Sequence, residues 1–159
     1  MDSGADTTLT LLNTAAYTRE AVAALLRQHD ITPTHQRIEI AHALFSRCEH
    51  LSAERLLAIV NEREAETSKA TVYNTLNLFV AKKLVREVIV DPARVFYDPN
   101  TAPHHHFYNV DSGELSDIDA GEVEVARLPA LPEGMVTDGV EIIVRIRAMG
   151  STGSAGSAQ

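Results

Sequence analysis

The 159-residue chain contains no tryptophan and only one cysteine, Cys48, so no disulfide can close within it and no Cys-x-x-Cys pair is available to zinc. No apolar run approaches the ~20 residues needed to span a bilayer. The opening stretch "MDSGADTTLT" has neither the basic start nor the apolar segment of a signal peptide. The expectation is a cytoplasmic protein without membrane contact. Positive charge is also scarce, and a formal net charge of −8 argues at first sight against a polyanionic partner. The distribution softens that argument. Residues 1–97 carry 11 basic and 12 acidic side chains, whereas residues 98–159 carry 3 and 10. Within 67–90, Lys69, Lys82, Lys83 and Arg86 face only Glu87. A local basic patch governs phosphate contact more than the whole-chain sum does. The split in charge points to two modules, the second suited to cations.

The apolar spacing organises the first module. Thr18, Thr34, Ser52 and Ser68 each precede a run of helical period and can serve as N-caps. Tyr17 with Val22, and Leu51 with Leu56, are placed as hydrophobic staples. The expected inward residues are Val22, Leu25 and Leu26 in the first helix, and Ile38, Ala41, Leu44 and Phe45 in the second. The third contributes Leu56, Ile59 and Val60. In the fourth, "TSKATVYNTLNLFVAKKL", Val72, Leu76, Phe79 and Val80 take the core side. Lys69, Tyr73, Asn74 and Asn77 are left opposite, side chains suited to base edges and phosphates, or simply to a solvated face. "LVREVIV" and "RVFYD" then flank "DPA" and read as a hairpin. A hairpin directly after three or four helices is the order of a winged helix-turn-helix, in which the helix before the wing enters the major groove.

The second module opens near Asp98. "HHHFYNV", "DSGE" and "ELSDI" read as strand, turn and strand. "GEVEVARL" is compatible with a short helix or a third strand, stopped by Pro129 and Pro132. Residues 140–146 alternate as a strand with one buried apolar face, Ile143 being the exception. The whole is expected to be an α+β protein: residues 1–14 disordered, 15–97 a winged-helix DNA-binding domain, 98–149 a small α/β metal-binding dimerisation domain, and 150–159 a disordered tail. Alternation along "HHHFY" places His104, His106 and Tyr108 on one face, and His105 and Phe107 on the other. Two histidines on one face can converge on a metal when carboxylates such as Asp98, Asp117 or Asp119 approach. The bland alternative is a polar, half-buried strand.

"THQR", "HLSAERL", "ATVYNTLNLFVAKKLV", "RVFYD" and "HHHFY", in this order, resemble the ferric-uptake regulator (Fur) family of bacterial metal-responsive repressors over residues 17–147. "HHHFY", "LPALPEG" and the absence of cysteine pairs are most similar to its iron-response regulator (Irr) branch. The resemblance implies a homodimer that represses by binding a palindromic double-stranded operator. DNA contacts are expected from Lys69, Thr71, Tyr73, Asn74, Asn77, Lys82 and Lys83. It also implies a divalent transition metal, iron, manganese or zinc, in a hinge site of His50, Asp98, His106 and Asp117. Tyr108 stands where a partner histidine is usual. A second family site keeps His105 and Glu124, but Phe107 and Gly139 replace its other ligands. The family's four-cysteine zinc site is absent. In the Irr branch the histidine run is associated with haem, which implicates His104, His105 and His106, with Cys48 or His35 as alternative axial ligands; a Cys-Pro haem motif is missing. Asn74 stands where many members have arginine, and Thr32 where some have a minor-groove lysine.

Two other classes fit parts of the chain. Two histidines and a carboxylate could serve a small oxygenase or hydrolase, and the same residues could store metal or haem. Neither gives "SKATVYNTLN" a role, so no enzymatic activity is expected.

Overall fold

The computed structural model describes residues 17–47, 49–63 and 67–150, which fall into two compact units divided between Thr101 and Ala102. The segments expected to be disordered, 1–14 and, apart from Gly150, 150–159, lie outside the described residues, as does Cys48.

The first unit runs α1 (Arg19–Gln28), α2 (His35–Phe45), α3 (Ala53–Arg63), α4 (Lys69–Ala81), β1 (Arg86–Asp91) and β2 (Arg94–Asp98). Each helix starts where a hydroxyl can satisfy an orphan amide. Thr18 accepts from Ala21 N, Thr34 from Arg37 N, Ser52 from Arg55 N and Ser68 from Thr71 N, each cap contributing about 1 kcal/mol. α1 and α4 both end through a residue of positive φ, Asp30 at 55° and Lys83 at 57°. The next amides, of Ile31 and Leu84, return to the carbonyls of Leu26 and Phe79 at 2.9 Å. This closes the last turn as in a Schellman-type cap.

Val22, Leu26, Ile40, Leu44, Leu56, Ile59, Val72, Leu76 and Phe79 form the centre of the core. Burying each such side chain contributes roughly 1.5–3 kcal/mol. α2 departs from expectation: Ile40 is fully buried, while Ile38 and Phe45 are only partly so. The reason is that α2 packs against α1, α3 and α4 together, so its buried arc is wider than one stripe. Glu39 is also buried on α2, gripped by the Arg19 guanidinium through Nε–Oε1 and through Nη2–Oε2 at 2.8 Å. That pairing holds its carboxyl below the usual carboxylate range.

β1 and β2 pair antiparallel, with Arg86 opposite Asp98 and Val88 opposite Phe96. The register shifts between Ile89 and Asp91, and Asp91 Oδ1 accepts from Ala93 N at 2.9 Å to close the turn. Tyr97 N donates to Leu51 O at 2.9 Å, tying the hairpin to the residue that precedes α3 by one turn position. Four helices followed by this hairpin make a winged helix.

The second unit is a three-stranded sheet of order β4-β3-β5, with β3 His105–Asn109, β4 Leu115–Ile118 and β5 Ile143–Ile146. β3 and β4 are antiparallel; β3 and β5 are parallel. The β3–β4 turn is built by Asn109, whose Oδ1 accepts from Asp111 N and Ser112 N, and by Gly113 at φ 77°. The "GEVEVARL" segment forms neither the short helix nor the strand that its pattern allowed. A 3-10 turn covers Ala120–Glu122 and no regular element follows until β5. Pro129 and Pro132 each remove a backbone donor, and the segment is almost wholly exposed, so nothing in the single chain rewards ordering it. β5 is shorter than expected. Its expected buried face is open, with Val144 37% and Ile146 40% exposed.

Candidate metal centre and nucleic-acid face

In the second unit the sheet register gathers one cluster. His106 pairs with Asp117 across β3 and β4, and His104 lies just before β3, two residues back and on the same side. Both rings turn Nε2 to one carboxylate oxygen: Asp117 Oδ1 is 3.3 Å from His104 Nε2 and 3.5 Å from His106 Nε2. The imidazole centroids are 4.6 Å apart, edge to face. His104 Nδ1 is 2.7 Å from Ala102 O, and that carbonyl fixes the proton on Nδ1 and leaves the Nε2 lone pair for a metal. His106 Nδ1 faces Glu141 Oε1 at 3.0 Å, an ion-pair contact rather than a hydrogen bond. Tetrahedral ligands about 2.0–2.2 Å from an ion stand roughly 3.3–3.6 Å from one another. The two histidine–carboxylate separations therefore fit a first-row ion. Both rings are buried, whereas Asp117 is half exposed and leaves a route to solvent.

The first unit carries a smaller ligand pair. His50 Nε2 lies 3.3 Å from Asp98 Oδ2, and Arg86 Nε lies 3.6 Å from the same oxygen. Asp98 Oδ1 accepts from Asn100 N at 2.8 Å, which aims the other oxygen at His50. Asp98 closes β2, at the end of the hairpin.

Within the second unit, the fold brings His104 to Asp117, a position the sequence had given only secondary weight. Tyr108 shares the face of His106 but sits two pairs further along, opposite Leu115, with Arg145 5.8 Å above its ring. Glu124 is exposed on the segment without regular structure. His105 turns to the other face, where its Nδ1 accepts Ile142 N–H at 3.1 Å. A neutral His105 therefore carries its proton on Nε2 and has no free lone pair for an axial position. Phe107 beside it is 37% exposed. His35 begins α2, exposed. Sequence reasoning missed Arg86, whose place opposite Asp98 depends on the hairpin register, and Glu141, which no local pattern signals.

The sequence-selected DNA residues all lie on α4 or just beyond it. Lys69, Asn74, Asn77, Lys82 and Lys83 are exposed. Thr71 differs from a free contact residue, because its Oγ1 is 2.9 Å from the capping Ser68 Oγ. Tyr73 is partly buried against the core edge and donates a hydrogen bond to Glu54 on α3, with Lys69 Nζ 5.5 Å over its ring.

A winged helix joined to a sheet bearing a His/carboxylate cluster defines a class, the metal-binding winged-helix proteins. Comparison makes this specific: the pattern of the Ferric uptake regulator family matches residues 28–144, and the chain belongs to that family. The "Peroxide-responsive repressor PerR" of Staphylococcus aureus (strain Mu50 / ATCC 700699) is 30% identical over 110 residues, 69% of this chain and 74% of the relative. The ferric uptake regulator of Pseudomonas aeruginosa, solved with manganese, is similar in structure with a TM-score of 0.61 and 25% identity, covering 79% of this chain and 96% of that one. The Helicobacter pylori regulator Fur, described as having three functional metal binding sites, shares the fold at a TM-score of 0.60 and 17% identity, covering 82% and 92%. These relatives are named as regulators or repressors. No helix among the described residues is long and apolar enough to cross a membrane.

Proposed function

We propose that this chain is a cytoplasmic transcriptional repressor of metal homeostasis, binding a palindromic operator as a homodimer, with α4 as the recognition helix. A divalent transition metal sets its operator affinity. The observation that carries this reading is the convergence of His104, His106 and Asp117 on one point, in a chain whose other unit is a winged helix. An imidazole and carboxylate set without thiolate suits iron, manganese or zinc. The family resemblance assigns His50 and Asp98 to the same regulatory set as His106 and Asp117, and the proposal keeps them there. A ligand set supplied by two units stabilises one hinge angle. In a dimer, that angle fixes the separation of two recognition helices, which must match half-sites about 34–36 Å apart or a multiple of it.

Likeness to the Irr branch adds haem as a second input, taken through His104 or His106 in preference to His105. The name of the Staphylococcus aureus relative adds peroxide as a third, for which iron is the redox-active choice.

The test is a fluorescence titration of full-length protein on an iron-responsive operator, in apo, Mn(II)-loaded and haem-loaded forms, and with peroxide added to the iron-loaded form. Mn(II) is expected to change operator affinity by about 5- to 150-fold, the usual range for allosteric coupling. His106→Ala and Asp98→Ala should each remove that change while leaving circular dichroism intact. Changing His104, His105 and His106 together to Ala should abolish the haem Soret shift. Equal affinity of the apo and Mn(II) forms, or no duplex binding in either, would overturn the reading.

A further inference from the structure

The polar face of α4 contains one side chain that a second helix controls. Tyr73 Oη donates its proton to Glu54 Oε1, reaching from α4 to α3. Tyr73 packs against the core edge, and Lys69 Nζ lies 5.5 Å above the ring centroid. Ring, hydroxyl and neighbouring cation are thus held in one arrangement at the surface. The bond is felt by both partners. Hydrogen bonding to Glu54 pushes the Tyr73 phenol up to about 12, and the same bond holds the Glu54 carboxyl below its ordinary range. At neutral pH the phenol is therefore protonated and the carboxylate charged.

A phenol has one proton to give. With that proton committed to Glu54, Tyr73 Oη offers only lone pairs outward, and the carboxylate beside it also only accepts. In the major groove, adenine N6 and cytosine N4 donate, whereas thymine O4 and guanine O6 and N7 accept. Phosphate oxygens also accept and carry negative charge, so they meet nothing favourable here except Lys69.

We propose that Glu54 is a specificity-determining residue: by taking the Tyr73 proton, it makes this point of the recognition helix acceptor-only and selects a base that presents an amino group in the major groove, adenine or cytosine. The inference rests on α4 being the recognition helix. Tyr73 touches the base and Glu54 acts through it as a positioning residue.

The experiment is selection of bound duplexes from a randomised library by the full-length Mn(II)-loaded protein, for wild type, Tyr73→Phe, Glu54→Ala and Glu54→Gln, each verified by circular dichroism. Wild type should show one position at which adenine or cytosine is preferred roughly three- to tenfold, the weight of one net hydrogen bond. Tyr73→Phe should level that position and leave the others. Glu54→Ala should level it too, although Tyr73 is intact, because a released phenol donates as readily as it accepts. Glu54→Gln, whose amide oxygen still accepts the phenol proton, should keep the preference. If Glu54→Ala retains the wild-type preference at the position that Tyr73→Phe levels, Glu54 sets nothing, and the proposal fails while the recognition helix stands. If Tyr73→Phe changes no position, the Tyr73 hydroxyl reads no base and the proposal fails while the recognition helix stands; if wild type selects no sequence, the recognition-helix reading fails and this proposal with it.

Discussion

His42, on α2, has its Nδ1 buried without a hydrogen-bond partner. Burial is the main reason that its imidazole is held below the ordinary value of 6.5, with the nearby Arg19 guanidinium pushing the same way and Glu39 opposing both. The folded state thus binds fewer protons than the unfolded chain as pH falls. Stability from this group is present above about pH 6.5 and is lost as pH drops below it toward the folded value. Urea unfolding midpoints should therefore decline between about pH 7.5 and 5.5. His42→Leu should show a smaller decline, and equal slopes for both proteins would remove His42 from the acid response. The same scale shows where sequence reading stopped at single residues. Period-two alternation put His104 and His106 on one face, but Tyr108 has the same parity. What separates them is that Asp117 stands opposite His106. That register is set by the turn at Asn109 and Gly113, whose count of residues does not announce which pair will face.

At the scale of elements, the end of α4 combines a structural and a binding role in one lysine. Lys83 carries a φ of 57° as the residue that closes the helix. A left-handed backbone costs a non-glycine residue about 1–2 kcal/mol, and glycine returns about 0.4–1 kcal/mol of that through the freedom of the unfolded chain. Lys83→Gly is therefore expected to stabilise the fold by roughly 0.5–1 kcal/mol in a denaturant titration. It should also flatten the salt dependence of operator binding by about one phosphate contact, a log–log slope change near 0.9. Lys82→Ala should flatten the slope equally without the gain in stability. An unchanged slope in both variants would take these lysines off the DNA. The helix starts were legible because an N-cap is a local event, in which the hydroxyl of Thr18, Thr34, Ser52 or Ser68 serves an amide three residues on. The wing was legible from "DPA" between β-rich runs. The Glu54–Tyr73 bond, the Arg86–Asp98 pair and the approach of Glu141 to His106 were not, since each depends on how separate elements pack or cross. The segment after β4 misled for a related reason: its local pattern allowed a helix or strand, and no neighbour within the chain stabilises either.

At the scale of the whole molecule, the missing cysteines matter again. A four-thiolate zinc site would contribute folding energy directly, and one lone cysteine cannot build it. The dimer we propose should then rest on apolar packing, for which Val144 and Ile146 on β5 are open. Strong chelator should leave circular dichroism and dimer mass unchanged while altering operator affinity. Val144→Asp with Ile146→Asp should yield monomers in analytical ultracentrifugation. Monomers produced by chelator alone would instead identify a structural ion.

The parallel pairing of β3 with β5 also has a consequence in time. Ile142 meets His105 across a separation of 37 residues, whereas β4 returns to β3 through one short turn. Contacts between distant parts of a chain form later than local ones, because loop closure must precede them. As the chain leaves the ribosome, the β3–β4 hairpin can therefore bring His104, His106 and Asp117 together while β5 is still being synthesised. The ion capture we propose can then precede completion of the sheet, with Glu141 reaching His106 last, just ahead of β5.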